Sequence, residues 1–194
     1  MTDTHITIIL ASGSRYRREL LGRLGLAFEA WSPEVDERPL AGEAPRDTAI
    51  RLARLKARAG AARYPQAWII GSDQVADVDG RPVGKPGSAA NARRQLAELS
   101  GQTVLFHTAL CVLRGERSHE RLVTTEVVFR KLATAEIERY IEREPAFDCA
   151  GSAKSEGLGI ALLERLTSDD PTALVGLPLA VLGSILRAEG FAIP

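Results

Sequence analysis

An aspartate stands at the carboxyl end of an apolar run in Ile69-Ile70-Gly71-Ser72-Asp73-Gln74. Strand ends of this kind are where α/β sheets place ligands, and Asp73 there could bind a metal ion, act as a base, or do both. The same Gly-Ser-Asp stretch also suits a plain turn. Near the start, Ser12-Gly13-Ser14-Arg15-Tyr16-Arg17-Arg18-Glu19-Leu20-Leu21 follows a β-type run from Ile6 to Ala11. Ser14 suits a helix N-cap, and Leu20, Leu21 and Leu24 give that helix an apolar face. Its first turn carries Arg15, Arg17 and Arg18 at the positive end of the helix dipole, at a cost of about 1 kcal/mol unless an anion sits among them. A strand, a Gly/Ser turn and a cationic helix start together make a phosphate site; the bland alternative is three solvated arginines.

Three further segments hold chemistry-bearing residues. Gly84-Lys85-Pro86 ends like a phosphate-binding P-loop, but Pro86 replaces the required Ser or Thr and Asp79 replaces the first glycine. Lys85 could still reach a phosphate as a point charge. The acids of Pro33-Glu34-Val35-Asp36-Glu37 could hold a hard cation, or simply be solvated. The glycines of Ala150-Gly151-Ser152-Ala153-Lys154-Ser155-Glu156-Gly157-Leu158-Gly159 permit close backbone approach to a ligand, and Glu156 could accept from a base edge. His5, His107 and His119 lack metal-ligand spacing, and Cys111 and Cys149 form no C-x-x-C pair.

Elements that must position these residues follow from periodicity and breakers. Helices are expected over Asp47 to Tyr64, Ser88 to Leu99, Thr134 to Arg143 and Leu179 to Ala188. Strands are expected at Ala67 to Gly71, continued by Val75 to Val78, at Thr103 to Leu113 paired with Arg121 to Phe129, and at Gly159 to Leu163. Asp79-Gly80 signals a turn, and Trp31 to Pro45 a loop. The mixture reads as α/β with a mixed sheet, and the 194 residues read as a single domain. Formal net charge is zero, against a grip on long nucleic acid. The longest near-apolar run, Ala173 to Gly183, is too short to span a bilayer, and no signal peptide is evident. Two cysteines without a disulfide framework suit reduced thiols in the cytoplasm.

The order A-S-x-S-x-x-R-R-x-L-L, E-V-D-E, L-A-x-x-K-A, G-S-D-Q, G-K-P, A-G-S-x-K-S-E-G and G-L-P-L, running from about Ile8 to about Leu186, resembles the Maf family of nucleoside triphosphate pyrophosphatases. The resemblance implies an elongated mixed β-sheet flanked by helices, with two lobes around a cleft, as in inosine triphosphate pyrophosphatases. It implies hydrolysis of a triphosphate to monophosphate and pyrophosphate, aided by a divalent cation (Mg, Mn or Co). By motif, Asp73 would be the acid/base, with Lys56 and Lys85 neutralising the leaving pyrophosphate. Asp36 and Glu34 would join Asp73 at the metal, and Ser12, Ser14, Arg17 and Arg18 would hold phosphates. Tyr16, Gln74 and Glu156 resemble the branch acting on 7-methyl-GTP, although Trp is common at the Tyr16 position. The cationic methylated base would stack on Tyr16 beside Glu156. The alternatives are a dTTP/UTP pyrophosphatase of the same family and a non-catalytic nucleotide-binding regulator of septum formation. The implied partner is a small-molecule nucleoside triphosphate, with no nucleic acid polymer and no membrane, and a homodimer is compatible with it.

Overall fold

The computed structural model describes residues 7–194; His5 and Ile6 lie outside them. The chain runs β1 (Ile8–Ala11), α1 (Arg15–Gly22), β2 (Glu29–Trp31), α2 (Pro45–Arg63), β3 (Trp68–Val78), β4 (Arg81–Val83), α3 (Ala89–Leu99), β5 (Thr103–Arg114), β6 (Arg117–Phe129), α4 (Thr134–Arg143), β7 (Leu163–Thr167) and α5 (Leu179–Ala188). Short 3-10 turns lie at Ala150–Ser152, Leu158–Leu162 and Ala173–Val175. The strands form one sheet in the order β2-β1-β3-β5-β6-β7, with β4 also on β3. β1 is parallel to β2 and β3, and the other pairs are antiparallel. The mixed, helix-flanked sheet expected from the sequence is the architecture found.

Side chains of β3 alternate between two cores, as strand geometry requires. Ile69 packs with Ala49, Ala53 and Ala57 of α2. Trp68 and Ile70 pack with Leu20 and Leu21 of α1 and with Leu182 and Leu186 of α5. A third cluster, including Leu96, Phe106, Phe129, Ile137 and Tyr140, joins α3 and α4 to the far half of the sheet. Each fully buried Leu, Ile or Phe stabilises the fold by roughly 1.5–3 kcal/mol.

Glycine decides how closely α2 approaches β3. A Cβ on Gly71 would lie 2.7 Å from the backbone nitrogen of Ala57 and 2.8 Å from its Cβ, so only glycine lets the helix lie this low on the strand. At the β3–β4 hairpin, Asp79 (φ 51°) and Gly80 (φ 78°) are both left-handed, the pattern of a two-residue I′ turn.

Strand pairing also leaves an opening. β1 pairs with β3 only as far as Leu10–Ile70, and β4 pairs with β3 from Ala76 onward. β5 covers the other edge from Ile69 to Asp77. Among the described residues, the β1-side edge of β3 between Gly71 and Val75 is therefore free of a neighbouring strand, just beyond the carboxyl end of β1.

Some element boundaries differ from expectation. The two expected strand pieces at 67–78 are one eleven-residue strand. α2 starts two residues early because Pro45 suits the first helical turn. The expected strand from Gly159 to Leu163 is a 3-10 turn, and β7 begins only at Leu163. There the chain folds back on itself: Gly157 N–H donates to Lys154 O at 3.0 Å, and Gly159 lies directly against the Lys154 backbone.

Candidate active site

The opening beside β3 is a cleft of about 650 Å³, walled by the β1–α1 turn, the 32–39 loop, α2, β3 and the β4 segment. Ser14 caps α1, its Oγ accepting from Arg17 N–H at 3.4 Å. Ser12 Oγ accepts from Ser14 N–H at 3.2 Å and from Arg17 Nη1 at 3.3 Å. Arg17 Nε donates to Gly176 O at 2.7 Å, a carbonyl that also accepts from Ser72 Oγ at 3.0 Å. Gly176 takes φ 119°, and a Cβ there would meet the Arg17 side chain from 3.5 Å outward. Burial pulls the Arg17 guanidinium below the usual arginine range, while the charges of Asp73 and Glu37 act the other way.

On the α2 side, Lys56 and Asp73 are both buried. Lys56 Nζ donates to Asp73 Oδ1 at 2.6 Å and pairs with Glu37 Oε1 at 2.7 Å. Burial would raise the Glu37 pKa, but the Lys56 hydrogen bond and the charges of Lys56, Lys85 and Arg17 lower it overall. Cleft-lining cations are Arg15, Arg17, Lys56 and Lys85, against the carboxylates Glu37, Asp73 and Asp148, an excess of one positive charge. Such a cleft attracts a polyanion, and a triphosphate brings more negative charge than it can offset alone. Glu37 and Asp73 face each other across one lysine, and magnesium commonly takes one or two carboxylates together with substrate phosphates. Their oxygens are the donor type such a cation takes, with Lys56 Nζ standing between them. Among the described residues no group of three His, Cys, Asp or Glu forms a metal cage.

A second cavity, about 110 Å³, opens from the same place and shares Ser14, Tyr16, Arg17, Gln74, Lys85 and Asp148 with the cleft. Its far wall is apolar, with Phe106, Val127, Phe129 and Leu163, and Glu156 also lines it. Gln74 Nε2 donates to Ala173 O at 3.0 Å, Leu174 O at 2.9 Å and Thr108 Oγ1 at 2.9 Å. Two carbonyls around that nitrogen fix the amide's orientation and leave Oε1 as the acceptor offered to a ligand. The Tyr16 ring takes cations against it: the Arg15 guanidinium lies 4.7 Å and Lys154 Nζ 5.7 Å from its centroid. Ser152, buried at φ 56°, is a non-glycine in left-handed backbone within the loop that forms this wall.

Asp73, Lys56, Lys85, Ser12, Ser14, Arg17, Tyr16 and Gln74 thus all line the cleft, and Glu156 lines its apolar annex. Three residues singled out in the sequence do not. Arg18 is exposed and lines neither cavity, since one step along a helix turns a side chain about 100° away. Asp36 is exposed and clamped by Arg38 Nε at 2.9 Å and Nη2 at 2.6 Å, and Glu34 is exposed on the same loop. The acid that this loop sends into the cleft is Glu37, which pairs with Lys56. Glu37 was within the acidic motif, but nothing in its spacing separates it from its neighbours. Arg15, read with Arg17 in the cationic helix start, also lines the cleft, whereas Asp148 was missed as a cleft residue and Phe106 and Phe129 as pocket walls. Asp148 follows Phe147 in an unremarkable loop, and the two phenylalanines read as ordinary strand core.

A family model described as Maf-like protein matches residues 7–189. A protein of Xanthomonas oryzae pv. oryzae named 7-methyl-GTP pyrophosphatase is 58% identical over 187 residues, covering 96% of this chain and 98% of its own. One from Cupriavidus pinatubonensis with the same name is 56% identical over 194 residues, covering 98% of each. Among solved structures, the Staphylococcus aureus Ham1 protein superposes with a TM-score of 0.54 at 15% identity, covering 94% of this chain and 99% of that one, a likeness of fold.

Proposed function

The chain belongs to the Maf-like family, and from that premise we propose that it hydrolyses 7-methyl-GTP to the monophosphate and pyrophosphate. The observation that carries this reading is the joining of a cationic cleft to an apolar pocket with carboxylate and amide acceptors at its rim. The guanine edge offers N–H donors, which suit Gln74 Oε1 and the Glu156 carboxylate. Methylation at N7 makes the ring cationic, which suits the Tyr16 face and a neighbouring carboxylate. The relatives named above carry the same substrate in their names.

Asp73 and Gln74 are consecutive on β3, and Gln74 lines both cavities while Asp73 lines the cleft alone. The phosphate nearest Asp73 is then the one nearest the nucleoside, so attack falls at the α-phosphorus and pyrophosphate leaves. Asp73 orients the attacking water and accepts its proton. Lys56 holds Asp73 and Glu37 in place, and its charge stands beside the reacting phosphate. Arg17, Ser12, Ser14 and Lys85 bind the phosphate oxygens. Glu37 and Asp73 would hold the divalent cation, which when bound adds charge at the phosphates and lowers the pKa of a coordinated water. We place the enzyme in the cytoplasm, where nucleoside triphosphates are made and used. No described helix is long and apolar enough to cross a membrane.

A pyrophosphate-release panel over 7-methyl-GTP, GTP, dTTP and UTP with Mg²⁺, Mn²⁺ and Co²⁺ tests the proposal. 7-methyl-GTP should give the highest kcat/KM. Glu156→Gln should lower that value about 10- to 150-fold while slowing the pyrimidine substrates far less. A preference of the wild type for dTTP or UTP would overturn the substrate, and no turnover of any of the four would overturn the enzyme reading.

A further inference from the structure

We propose that Asp148 is a positioning residue of the base pocket, acting through the hydroxyl of Tyr16. The inference rests on the reading of that pocket given above. Tyr16 sits in the first turn of α1, with its ring between the cations of Arg15 and Lys154 and its hydroxyl reaching away from the helix. What holds it is a polar knot from a loop 132 residues away. Tyr16 Oη donates to Asp148 Oδ1 at 3.1 Å. The same oxygen accepts from Arg15 Nη2 at 2.7 Å and from Cys149 Sγ at 3.6 Å. Arg15 Nη2 also pairs with Asp148 Oδ2 at 3.3 Å, closing the knot. Burial, with the hydrogen bonds from Cys149 and to Asp148, pushes the Tyr16 phenol well above its ordinary value, so it stays a donor at neutral pH.

Asp148 and Tyr16 line both cavities, so the knot lies where the cleft turns into the pocket. A base entering there meets a ring whose hydroxyl end the carboxylate anchors, which fixes the tilt of the ring across the pocket mouth. The ligand class is a purine triphosphate, for which a flat wall at a fixed angle gives the largest stacking area. Asp148 is half exposed and belongs to no core cluster, so its replacement removes the knot and leaves the packing intact.

The test is a double-mutant cycle read in kcat and KM on the wild type's best triphosphate. Asp148→Ala and Tyr16→Phe should each lower kcat/KM about fivefold, chiefly through KM, the worth of one hydrogen bond. The double variant should be no worse than either single variant. Asp148→Asn, whose amide oxygen still accepts from the phenol, should restore most of the loss. Additive losses, or an Asn variant as poor as the Ala variant, would overturn the positioning role. A wild type that prefers a pyrimidine triphosphate would instead overturn the 7-methyl-GTP reading, and the same cycle on that substrate would still decide the role of Asp148.

Discussion

Lys56 Nζ has two carboxylates at bonding distance, and this sets what single substitutions at the site should do. In Asp73→Asn, Lys56 keeps Glu37 as its partner, so no buried charge is stranded. The variant should melt within a few degrees of wild type while its turnover falls roughly a hundredfold or more, the usual scale for losing a positioned base. Comparison of kcat with the thermal midpoint checks this, and near-normal turnover would remove Asp73 from the chemistry. Lys56→Met, by contrast, leaves Asp73 and Glu37 facing each other unpaired. It should lower stability as well as activity, because stripping one partner from a buried ion pair costs about 3–5 kcal/mol. Discounted for the half-exposed Glu37, the loss should lie at the lower end of that range and be visible by chemical denaturation.

At the scale of elements, the site depends on how α2 lies on β3. Gly71→Ala would push the helix away from the strand, since the new Cβ meets backbone atoms of α2 that cannot swing aside. Such overpacking costs roughly 1–3 kcal/mol. The variant should lose several degrees in melting temperature and much of its turnover, because Lys56 leaves with the helix. The loop that carries Glu37 is tied to α2 by Glu43, which accepts from Arg51 Nε at 2.6 Å and Nη2 at 2.8 Å, from Thr48 Oγ1 at 2.9 Å and from Leu40 N–H at 3.1 Å. The Arg51 hydrogen bond is the main reason its pKa falls from 4.5 to about 2. The folded value lies below the unfolded one, so this stabilisation is complete above about pH 4.5 and is lost as pH falls toward 2. The melting-temperature gap between wild type and Glu43→Gln should therefore be largest near neutral pH and close across that window. Periodicity and caps made most helices legible: Ser88 does cap α3, and α4 and α5 have the expected bounds. The 158–162 turn was not, because its shape comes from packing on Lys154 and Glu144 rather than from its own residues. Nor was the Asp170 cap, whose Oδ2 accepts from Ala180 N–H at 2.8 Å and Val181 N–H at 3.1 Å across a ten-residue gap.

For the whole molecule, the decisive feature is topological. β1 ends early, β4 rejoins late, and the unpaired edge of β3 between them receives a cationic helix start, a buried lysine and an apolar pocket. Order along the chain made the ingredients legible, with Asp73, Lys56, Arg17 and Lys85 each in a recognisable segment. Which acid of the 34–37 loop turns inward, and which arginine of α1 turns outward, depends on packing that no spacing encodes. We propose that Asp73 stands next to the phosphate nearest the base. That placement is tested most directly by turnover of 7-methyl-GTP in ¹⁸O-water with mass analysis of both products. Attack at the α-phosphorus puts one ¹⁸O in the nucleoside monophosphate and none in the pyrophosphate. Label in the pyrophosphate, or release of orthophosphate and a nucleoside diphosphate, would contradict it.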